Sequence, residues 1–487
     1  MSPGIARCQY CHFTVSSFRS RLCCDSVTVV SGETGVSSID KSYKMEITKI
    51  SNAIRFKPLL PAIVNGILIK RSSSNSQSYD VAVVGGGIVG SASAREILKR
   101  HPNLKLAIIE KEDSFAAHQS GNNSGVIHAG IYYKPGSLKA KLCVKGLDLM
   151  YKFCEEKGIK YKKSGKLIAA TCQQEIPRLL ELYDRGQKNG VKDIKLVDSK
   201  GIQEIEPLCK GIKGIWSPHT GITNYREVTQ HLVKDIVQCG GTKYLNFEVK
   251  KFSESDNPDF PVNISDGKNN SIAAKYVLTC CGLHSDTVAV LSGCSPNPKI
   301  IPFRGEYLYL KENKSNMCKI NIYPVPDPRF PFLGVHVTPT VDGRIILGPN
   351  AVLALSREGY RWTDVNVSEL MGILNYSGFR QLAMKYTAFG LKEIAKSLIT
   401  PLQINGIQRF IKGIHYKDIE IGPSGVRAQA MAEDGTLIED FVFDSQPGSG
   451  TVGSRVLHCR NAPSPGATSS LAIAMMIADK MESQFKL

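Results

Sequence analysis

The stretch "YDVAVVGGGIVGSASAREILKR", residues 79–100, decides the fold of this 487-residue chain. It opens with Tyr79–Val84, an almost wholly apolar run of the kind that forms a buried parallel strand. Gly85, Gly87 and Gly90 follow in the spacing GxGxxG, and the residues after them suit a helix. The stretch therefore predicts a strand, a tight glycine turn and a helix in direct succession.

A second apolar run, "LKLAIIEKE" (104–112), contains Glu110, which lies twenty residues after Gly90. In a dinucleotide-binding unit Gly85 would permit the tight turn, Gly87 would let the backbone approach a pyrophosphate, and Gly90 would let helix and strand pack closely. The phosphates then sit at the helix N-terminus, and the acid accepts a hydrogen bond from a ribose hydroxyl. An ordinary βαβ unit is the alternative, and it leaves the acid without a role.

The segment "HQSGNNSGVIHAGIYY" (118–133) contains no carboxylate, lysine or arginine. Its hydroxyl, amide and free N–H groups can contact a polyphosphate or the edge of a ring. The residues that carry them are Ser120, Asn123, Ser124 and Gly125. A plain NAD domain would continue with another βα unit at this point, so the segment favours FAD over NAD. A glycine-rich surface loop is the alternative.

Residues 79–135 resemble the D-amino-acid-oxidase/glycerol-3-phosphate-dehydrogenase class of FAD oxidoreductases, in which a serine-rich segment after the acid follows the pyrophosphate and flavin. "YLNFEVKKF" (244–252) suits a strand, and the resemblance implies that Val249 contacts the adenine through its backbone. "AKYVLTCCGLHSD" (274–286) resembles the strand-then-glycine element of the class, which implies a return to the FAD at Gly282.

The C-terminal stretch "RNAPSPGATSSLAIAMMIADKM" (460–481) reads as a loop of small residues that runs into a helix. Ser464 is predicted as the N-cap and Pro465 as a first-turn residue. The positive end of the helix dipole, aimed at the flavin, would stabilise the negative charge of the reduced ring. Ala467 and Thr468 complete the predicted cofactor contacts, and simple C-terminal packing is the alternative.

The middle of the chain predicts strands of a second domain. "IPFRGEYLYL" (301–310) alternates, and "FPFLGVHVTPTVDGRIILGP" (330–349) reads as a hairpin that turns at Asp342 and Gly343. The predicted class is α/β with an α+β substrate domain, that is, a Rossmann-like FAD-binding domain with an inserted mixed-sheet substrate domain. The predicted FAD-binding segments are 78–160, 223–290 and 421–487, and the substrate segments are 161–222 and 291–420.

A flavin that oxidises a C–H bond beside a carboxylate needs a cation for the carboxylate and a base for the hydroxyl or amine proton. Arg427, in "IGPSGVRAQA" (421–430), is predicted as the cation, because amino-acid oxidases of the class use an arginine in a similar GxR turn. Those enzymes continue with proline, whereas Ala428 follows here. His336, in the hairpin, and His128, in the loop after the acid, are the candidate bases. A surface arginine and two structural histidines are the alternatives.

Several longer runs, among them "PFRGEYLYL", "LGPNAVLAL" and "RNAPSPGATSS", resemble the L-2-hydroxyglutarate dehydrogenase family from about residue 79 to the C-terminus. The resemblance implies a mitochondrial FAD enzyme that oxidises L-2-hydroxyglutarate to 2-oxoglutarate. It also implies a membrane-linked electron acceptor, such as a quinone or an electron-transfer protein. A dicarboxylate substrate calls for a second cation, and Arg304 and Lys134 are the candidates. The alternatives are glycerol-3-phosphate or amine and amino-acid oxidation on the same scaffold, and a non-catalytic or RNA-modifying FAD protein.

The net charge of +17 suits an anionic substrate or an anionic membrane surface. The sequence contains no basic stripe interleaved with aromatic residues, so nucleic-acid binding is not predicted. No metal site is predicted either. The fourteen scattered cysteines are typical of reduced thiols in an intracellular compartment. Residues 1–77 are predicted to be a leader and linker, because 45–78 are rich in basic, apolar and serine residues, as in a mitochondrial transit peptide. A plain disordered linker is the alternative.

A basic helical segment is predicted at 365–417. Apolar residues recur in it at helical spacing, with lysines and arginines between them. The apolar residues are Leu391, Ile394, Leu398, Ile407, Phe410 and Ile411, and the basic ones include Lys385, Lys392, Lys396, Arg409 and Lys412. Basic amphipathic helices of this kind lie in membrane interfaces, which predicts peripheral membrane association. A helical cap over the substrate domain, with its lysines in water, is the alternative.

Overall fold

The computed structural model describes residues 77–327, 334–398, 400–446 and 450–487. The predicted leader lies outside these residues, except for its last position, Gln77. Both large sheets belong to one compact unit, Ser73–Leu487. In the part of the chain that is described, no helix has both the length and the apolar character that a bilayer crossing requires.

The first sheet forms around the strand Ser78–Val84, which runs parallel to Leu106–Ile109 on one side and to Ser271–Thr279 on the other. Val81 and Val83 have no exposed surface, as expected for a strand with helices on both faces. Within the described ranges the sheet has eight strands. Its strands are Ser78–Val84, Leu106–Ile109, Thr242–Tyr244, Lys251–Glu254, Val262–Ser265, Ser271–Thr279, Val442–Asp444 and Val456–Asn461.

The glycine turn joins the first strand to the helix Ile88–Arg100. Gly85 has a φ of +109°, and a Cβ atom there would lie 2.4 Å from the carbonyl oxygen of Cys280. A Cβ atom on Gly90 would lie 2.0 Å from the carbonyl oxygen of Gly85. The strand, turn, helix and second strand predicted from the sequence are confirmed, because only glycine allows this close packing.

The single strand predicted at 244–252 is wrong. One strand ends at Tyr244 and the next begins at Lys251, with a loop between them. Asn246 has a φ of +55°, which ends the extended conformation, and its N–H donates to the carbonyl of Glu112 at 2.9 Å. The loop therefore turns toward the segment that follows the second strand.

The second sheet has nine strands among the described residues. They are Lys166–Ala170, Lys195–Asp198, Lys213–Ser217, Lys299–Leu310, Asn321–Pro324, His336–Pro339, Ile345–Gly348, Val352–Leu353 and Ile419–Met431. The predicted hairpin is present, with His336 opposite Gly348 in antiparallel register. A small third sheet contains Val126–Ile127, Tyr161–Lys162 and Gly221–Thr223.

The predicted domain boundary between 420 and 421 cuts through a strand and is wrong. Ile419–Met431 pairs antiparallel with Lys299–Leu310 along almost its whole length, and Arg427 lies opposite Phe303. This long ladder holds residues 421–431 in the second sheet rather than in the FAD-binding part.

The predicted basic segment, 365–417, contains four of the described α-helices, from Val367–Leu374 to Thr400–Gln408. The α-helices of the described residues are Ile88–Arg100, Leu138–Lys157, Ile176–Lys188, Ser199–Ile205, Tyr225–Gln238, Ser285–Val290, Val367–Leu374, Ser377–Lys385, Thr387–Leu398, Thr400–Gln408, Gly450–Gly453 and Ser470–Phe485. Ile407, Phe410 and Ile411 are buried in the core beneath the second sheet, so the end of the basic segment cannot present them to a membrane. Leu391 and Ile394 are exposed, and the side chain of Leu398 lies outside the described residues.

The C-terminal helix begins at Ser470, so the prediction of Ser464 as its N-cap is wrong. The N–H of Ser469 donates to the carbonyl of Pro465 at 3.0 Å, and the N–H of Ser470 donates to the carbonyl of Ala467 at 3.2 Å. These bonds close successive turns of small residues ahead of the helix, which delays its first α-helical residue.

Candidate active site

A cavity of about 590 Å³ is lined by residues of both large sheets and of the glycine turn. We call it the central cavity. It brings together residues from widely separated parts of the sequence. The predicted site residues that line it are Gly85, Gly87, Glu110, Ser120, Asn123, Ser124, His128, Val249, Gly282, Arg304, His336, Arg427, Ser464, Ala467 and Thr468.

At one end, the glycine turn and the predicted ribose-binding acid form a cradle. Glu110 accepts a hydrogen bond from the N–H of Gly86 at 2.8 Å. Ser120 Oγ accepts from the N–H of Ile88 at 2.8 Å, at the first residue of the helix. A Cβ atom on Gly87 would point toward Ser120 Oγ at 3.2 Å and would occupy this cradle. Bare backbone, a helix N-terminus and a carboxylate in this arrangement fit the pyrophosphate and ribose of a dinucleotide.

The serine- and asparagine-rich loop holds its own shape. The Asn123 side chain donates to the carbonyls of Gln119 and Ser120 at 3.0 and 2.9 Å and accepts from the N–H of Gly125 at 2.9 Å. Gly125, with a φ of +70°, lies outside the cavity lining and supports the turn, and Gly90 acts through packing. The loop is therefore fixed by its own amides before any cofactor contact.

The C-terminal loop joins the segment that carries His128. Thr468 Oγ1 accepts a hydrogen bond from the backbone N–H of His128 at 3.1 Å and lies 2.9 Å from the hydroxyl of Tyr225. These contacts fix the backbone of His128 at the cavity wall, although the histidine and the threonine are far apart in sequence.

His336 and His128 both line the central cavity; His336 is buried, and His128 is half-buried. Burial lowers the pKa of His336 to about 3, although the Gly334 carbonyl opposes the shift. Burial, and then the charge of Lys166, hold the pKa of His128 well below its ordinary value. Both imidazoles are therefore neutral at physiological pH, each with one donor and one acceptor nitrogen.

Lys166 is a residue that the sequence reasoning missed. Its side chain is only 1% exposed, and its Nζ lies 3.3 Å from His128 Nδ1 and 4.0 Å from the centre of the Tyr323 ring. Burial lowers the pKa of Lys166 to about 7. The lysine that opens the apolar run "KLIAA" (166–170) was the available signal, because a buried lysine is costly unless it has a role.

The three predicted cations have different surroundings. Arg427 lines the cavity and is solvent-exposed, although desolvation by the surrounding protein lowers its pKa and the nearby phenols of Tyr307 and Tyr133 oppose the shift. Arg304 is fully buried, and its Nε donates to Glu306 at 3.1 Å, so its charge is paired within the protein.

Lys134 is exposed and does not line the central cavity. Its backbone carbonyl accepts a hydrogen bond from the Ser137 hydroxyl at 2.7 Å in the turn that precedes the next helix. Its predicted role as a substrate cation therefore has no support from the geometry.

A charged cluster lies at another part of the cavity wall. Glu112, His118 and Glu358 each place one ligand atom within 4.8 Å of the others, a spacing that could hold a metal ion. However, Lys111 Nζ lies 2.6 Å from Glu358 and also contacts Glu112. Burial opposes a fall in the Glu358 pKa, but hydrogen bonds from His284 and Lys111 lower it to about 2. The cluster thus already contains its own cation.

Comparison with known proteins defines the class first. Residues 80–480 match the family described as "FAD dependent oxidoreductase". Among solved structures, L-α-glycerophosphate oxidase from Mycoplasma pneumoniae with FAD bound superposes with a TM-score of 0.65 at 22% identity, over 82% of this chain and 93% of that one. This likeness shows the fold.

Two relatives define the family more closely. Both are named "L-2-hydroxyglutarate dehydrogenase, mitochondrial". The Caenorhabditis briggsae protein is 53% identical over 86% of this chain and 96% of its own length. The Homo sapiens protein is 51% identical over 85% of this chain and 91% of its own length. The chain belongs to the FAD-dependent oxidoreductases and, within them, to the L-2-hydroxyglutarate dehydrogenase family. Its cofactor is FAD, which the cradle around Gly87 fits.

Proposed function

We propose that this protein oxidises L-2-hydroxyglutarate to 2-oxoglutarate, with FAD as the acceptor of the hydride. The observation that carries the proposal is the meeting of Arg427, His128 and His336 in the same cavity as the FAD cradle. A cation and a neutral imidazole are the groups that oxidation of a hydroxyl beside a carboxylate requires. The names of the relatives support the choice of substrate.

His336 is the proposed base. Its Nδ1 lies 3.3 Å from the carbonyl oxygen of Gly334, which can only accept a hydrogen bond. The proton of the neutral ring therefore sits on Nδ1, and Nε2 keeps its lone pair. The ring stacks on Tyr323 with 4.1 Å between centres and 14° between planes, which fixes its orientation. Nε2 is thus suited to take the proton of the substrate hydroxyl as the C2 hydride leaves.

Arg427 is the proposed anchor of the C1 carboxylate. Arg427 lies on the long strand Ile419–Met431 of the second sheet and lines the cavity. Because this strand pairs with Lys299–Leu310, it gives the arginine a rigid support. A planar guanidinium binds a carboxylate with two parallel hydrogen bonds, which fixes the orientation of the C2 atom. Because the charge of Arg304 is paired with Glu306, we assign Arg304 the role of holding that carboxylate rather than the substrate.

The electrons are proposed to leave for a membrane-linked acceptor, a quinone or an electron-transfer protein. The mitochondrial names of the relatives favour the matrix or the inner-membrane surface as the location. Val367, Met384 and Leu391 are 70%, 73% and 63% exposed, and they belong to successive helices of the basic segment. Exposed Lys385 and Lys392 lie in the same helices, so this part of the segment combines apolar and basic groups as a membrane-surface contact would.

Anaerobic mixing tests the substrate. The purified yellow protein should bleach with L-2-hydroxyglutarate and keep its colour with D-2-hydroxyglutarate, glycerol 3-phosphate and L-glutamate. Bleaching by glycerol 3-phosphate or by the amino acid, but not by the hydroxy acid, would replace the proposed reaction with another on the same scaffold.

Co-sedimentation tests the membrane contact. Met384→Glu and Leu391→Glu together should lower the fraction bound to anionic liposomes at low salt, whereas the matched pair Leu180→Glu and Leu196→Glu, on exposed positions elsewhere, should not. If the liposome-bound fraction falls equally for both pairs, or falls for neither pair, the basic segment is not the membrane contact.

A further inference from the structure

The central cavity contains two histidines but needs only one base. The roles of the two rings depend on which nitrogen of each carries the proton, and hydrogen bonds to the opposite nitrogen decide this. Both rings have such a contact from the surrounding protein. For His336 the contact is the acceptor Gly334, and for His128 it is the amino group of Lys166.

The amino group of Lys166 imposes the opposite tautomer. An ammonium group donates hydrogen bonds and cannot accept one, so His128 Nδ1, at 3.3 Å, must be the acceptor. The proton of the neutral His128 ring then sits on Nε2. The two imidazoles are consequently complementary, one with a lone pair on Nε2 and the other with a proton on Nε2.

The surroundings of Lys166 show why it is not a structural ion pair. Within the described residues no carboxylate lies within ion-pair distance of its Nζ. Its charge is stabilised instead by the Tyr323 ring at 4.0 Å and, less closely, by the Tyr132 ring at 5.2 Å. The same Tyr323 ring carries His336 in a stack on it. Lys166 therefore contacts one histidine directly and the support of the other.

We propose that Lys166 is a positioning residue that holds His128 as a hydrogen-bond donor, so that His128 binds a substrate oxygen while His336 acts as the base. The inference rests on the proposed function and refines it by assigning different roles to the two histidines. The Nε2–H of His128 would contact the C2 oxygen or the C1 carboxylate, and it would not take the proton. The hydrogen bond from the His128 backbone N–H to Thr468 Oγ1 and the position of Lys166 at the start of a strand hold the two residues in place.

The protonation state of Lys166 adds a pH dependence. Because burial lowers its pKa to about 7, the ammonium form that enforces the His128 tautomer is lost as the pH rises above neutrality. The neutral amine can also accept, which frees the His128 proton to move to Nδ1. The titratable groups around Lys166 are His128, Tyr132, Cys143, Tyr323 and His336.

Glutamine variants separate a donor from a base. In His128→Gln the amide oxygen can accept from Lys166 while the amide N–H donates to the substrate, so the rate of anaerobic flavin reduction should fall by less than about tenfold. Glutamine has no basic lone pair, so His336→Gln should lose about 10²–10⁴-fold. An equally deep loss in His128→Gln, or a mild one in His336→Gln, would overturn the assignment of roles.

Lys166→Met tests the lysine itself, with exposed Lys162→Met on the neighbouring short strand as the matched control. Lys166→Met should reduce flavin about ten- to a hundredfold more slowly. In the parent protein, loss of the Lys166 ammonium form should raise the KM above about pH 7, and this rise should be absent in Lys166→Met. Its Tm should equal or exceed that of the parent, because removal of a buried amine without a carboxylate partner removes a desolvation cost. A lower Tm with an unaltered pH profile would show a merely structural role and overturn the proposal.

Two different results would rule out the proposed reaction and the proposed role of Lys166. If the parent protein is not bleached by L-2-hydroxyglutarate, the proposed function is wrong. If the parent is bleached while Lys166→Met matches Lys162→Met in rate and pH profile, the proposed function stands and the positioning role of Lys166 is overturned.

Discussion

The two ends of the central cavity are built in contrasting ways. The cofactor end uses backbone N–H groups, bare glycine positions and one carboxylate, and most of these lie between Gly85 and Ser124 in a short stretch of sequence. The proposed substrate end uses ionisable side chains that come from distant strands, namely buried Lys166 and His336 and solvent-exposed Arg427. Local sequence therefore forms the cofactor cradle, whereas sheet topology brings together the residues of the proposed substrate site.

This difference predicts that a substitution at the cofactor end abolishes FAD binding altogether. Gly87→Val would place a side chain in the cradle beside Ser120, so the protein should purify without FAD and without colour. Gly406→Ala is the control, because a Cβ atom there meets nothing within 4 Å. The absorbance spectrum of each purified variant gives the flavin content. A full complement of flavin in Gly87→Val would move the pyrophosphate away from this turn.

Substitutions at the proposed substrate end should change the rate of flavin reduction or the affinity for the substrate, while FAD stays bound. His336→Ala removes the proposed base and should lower the rate of anaerobic flavin reduction by about 10²–10⁴-fold. Stopped-flow absorbance of the flavin measures the rate directly, and the flavin content should match that of the parent. If the rate is unchanged, the base lies elsewhere in the cavity.

The sequence predicted the strand, glycine turn, helix and second strand of the cofactor end because each step of the motif constrains its neighbours. A tight turn needs glycine at Gly85, and the acid must end the second strand. It failed where the chain departs from regular elements, as at Asn246, or where small residues form turns ahead of a helix, as at Ser464. The strand was lost because Asn246 donates a backbone hydrogen bond to distant Glu112, which a local pattern does not contain, and the N-cap was displaced by turns that close between neighbouring residues of 465–470.

The substrate end could be predicted only in part. His128, His336 and Arg427 share the cavity, but Lys134 lies in an exposed turn outside it and Arg304 is paired with Glu306. The sequence shows where a cation is, but the fold decides whether it lines the cavity, pairs with a carboxylate or lies outside the cavity.

A smaller effect is expected when the anchor of the substrate is removed. Arg427→Met should raise the KM for L-2-hydroxyglutarate by about ten- to a hundredfold, because each charge-assisted hydrogen bond to a carboxylate contributes about 1.5–3 kcal/mol. Arg344→Met, at an exposed position, is the matched control. Steady-state kinetics with an artificial acceptor measures both constants. An unchanged KM would place the carboxylate site away from this strand.

The smallest effect on the rate of flavin reduction is expected when the pH is lowered from 7 to 5. The base must be unprotonated to act, and burial lowers the pKa of His336 to about 3, so it stays competent throughout pH 5–7. The limiting rate of flavin reduction at saturating substrate should therefore have no acid limb over this range. A fall in that rate with a midpoint near pH 6.5 would indicate a histidine with an ordinary pKa as the base.

The central claim is that the hydride leaves C2 of L-2-hydroxyglutarate for the flavin in this cavity. Single-turnover flavin reduction with the C2-deuterated substrate tests it most directly. We predict complete bleaching with the L-enantiomer, a slower rate with deuterium than with hydrogen at C2, and one 2-oxoglutarate formed for each flavin reduced. Bleaching without 2-oxoglutarate, or no bleaching by the L-enantiomer at saturating concentration, would contradict the claim.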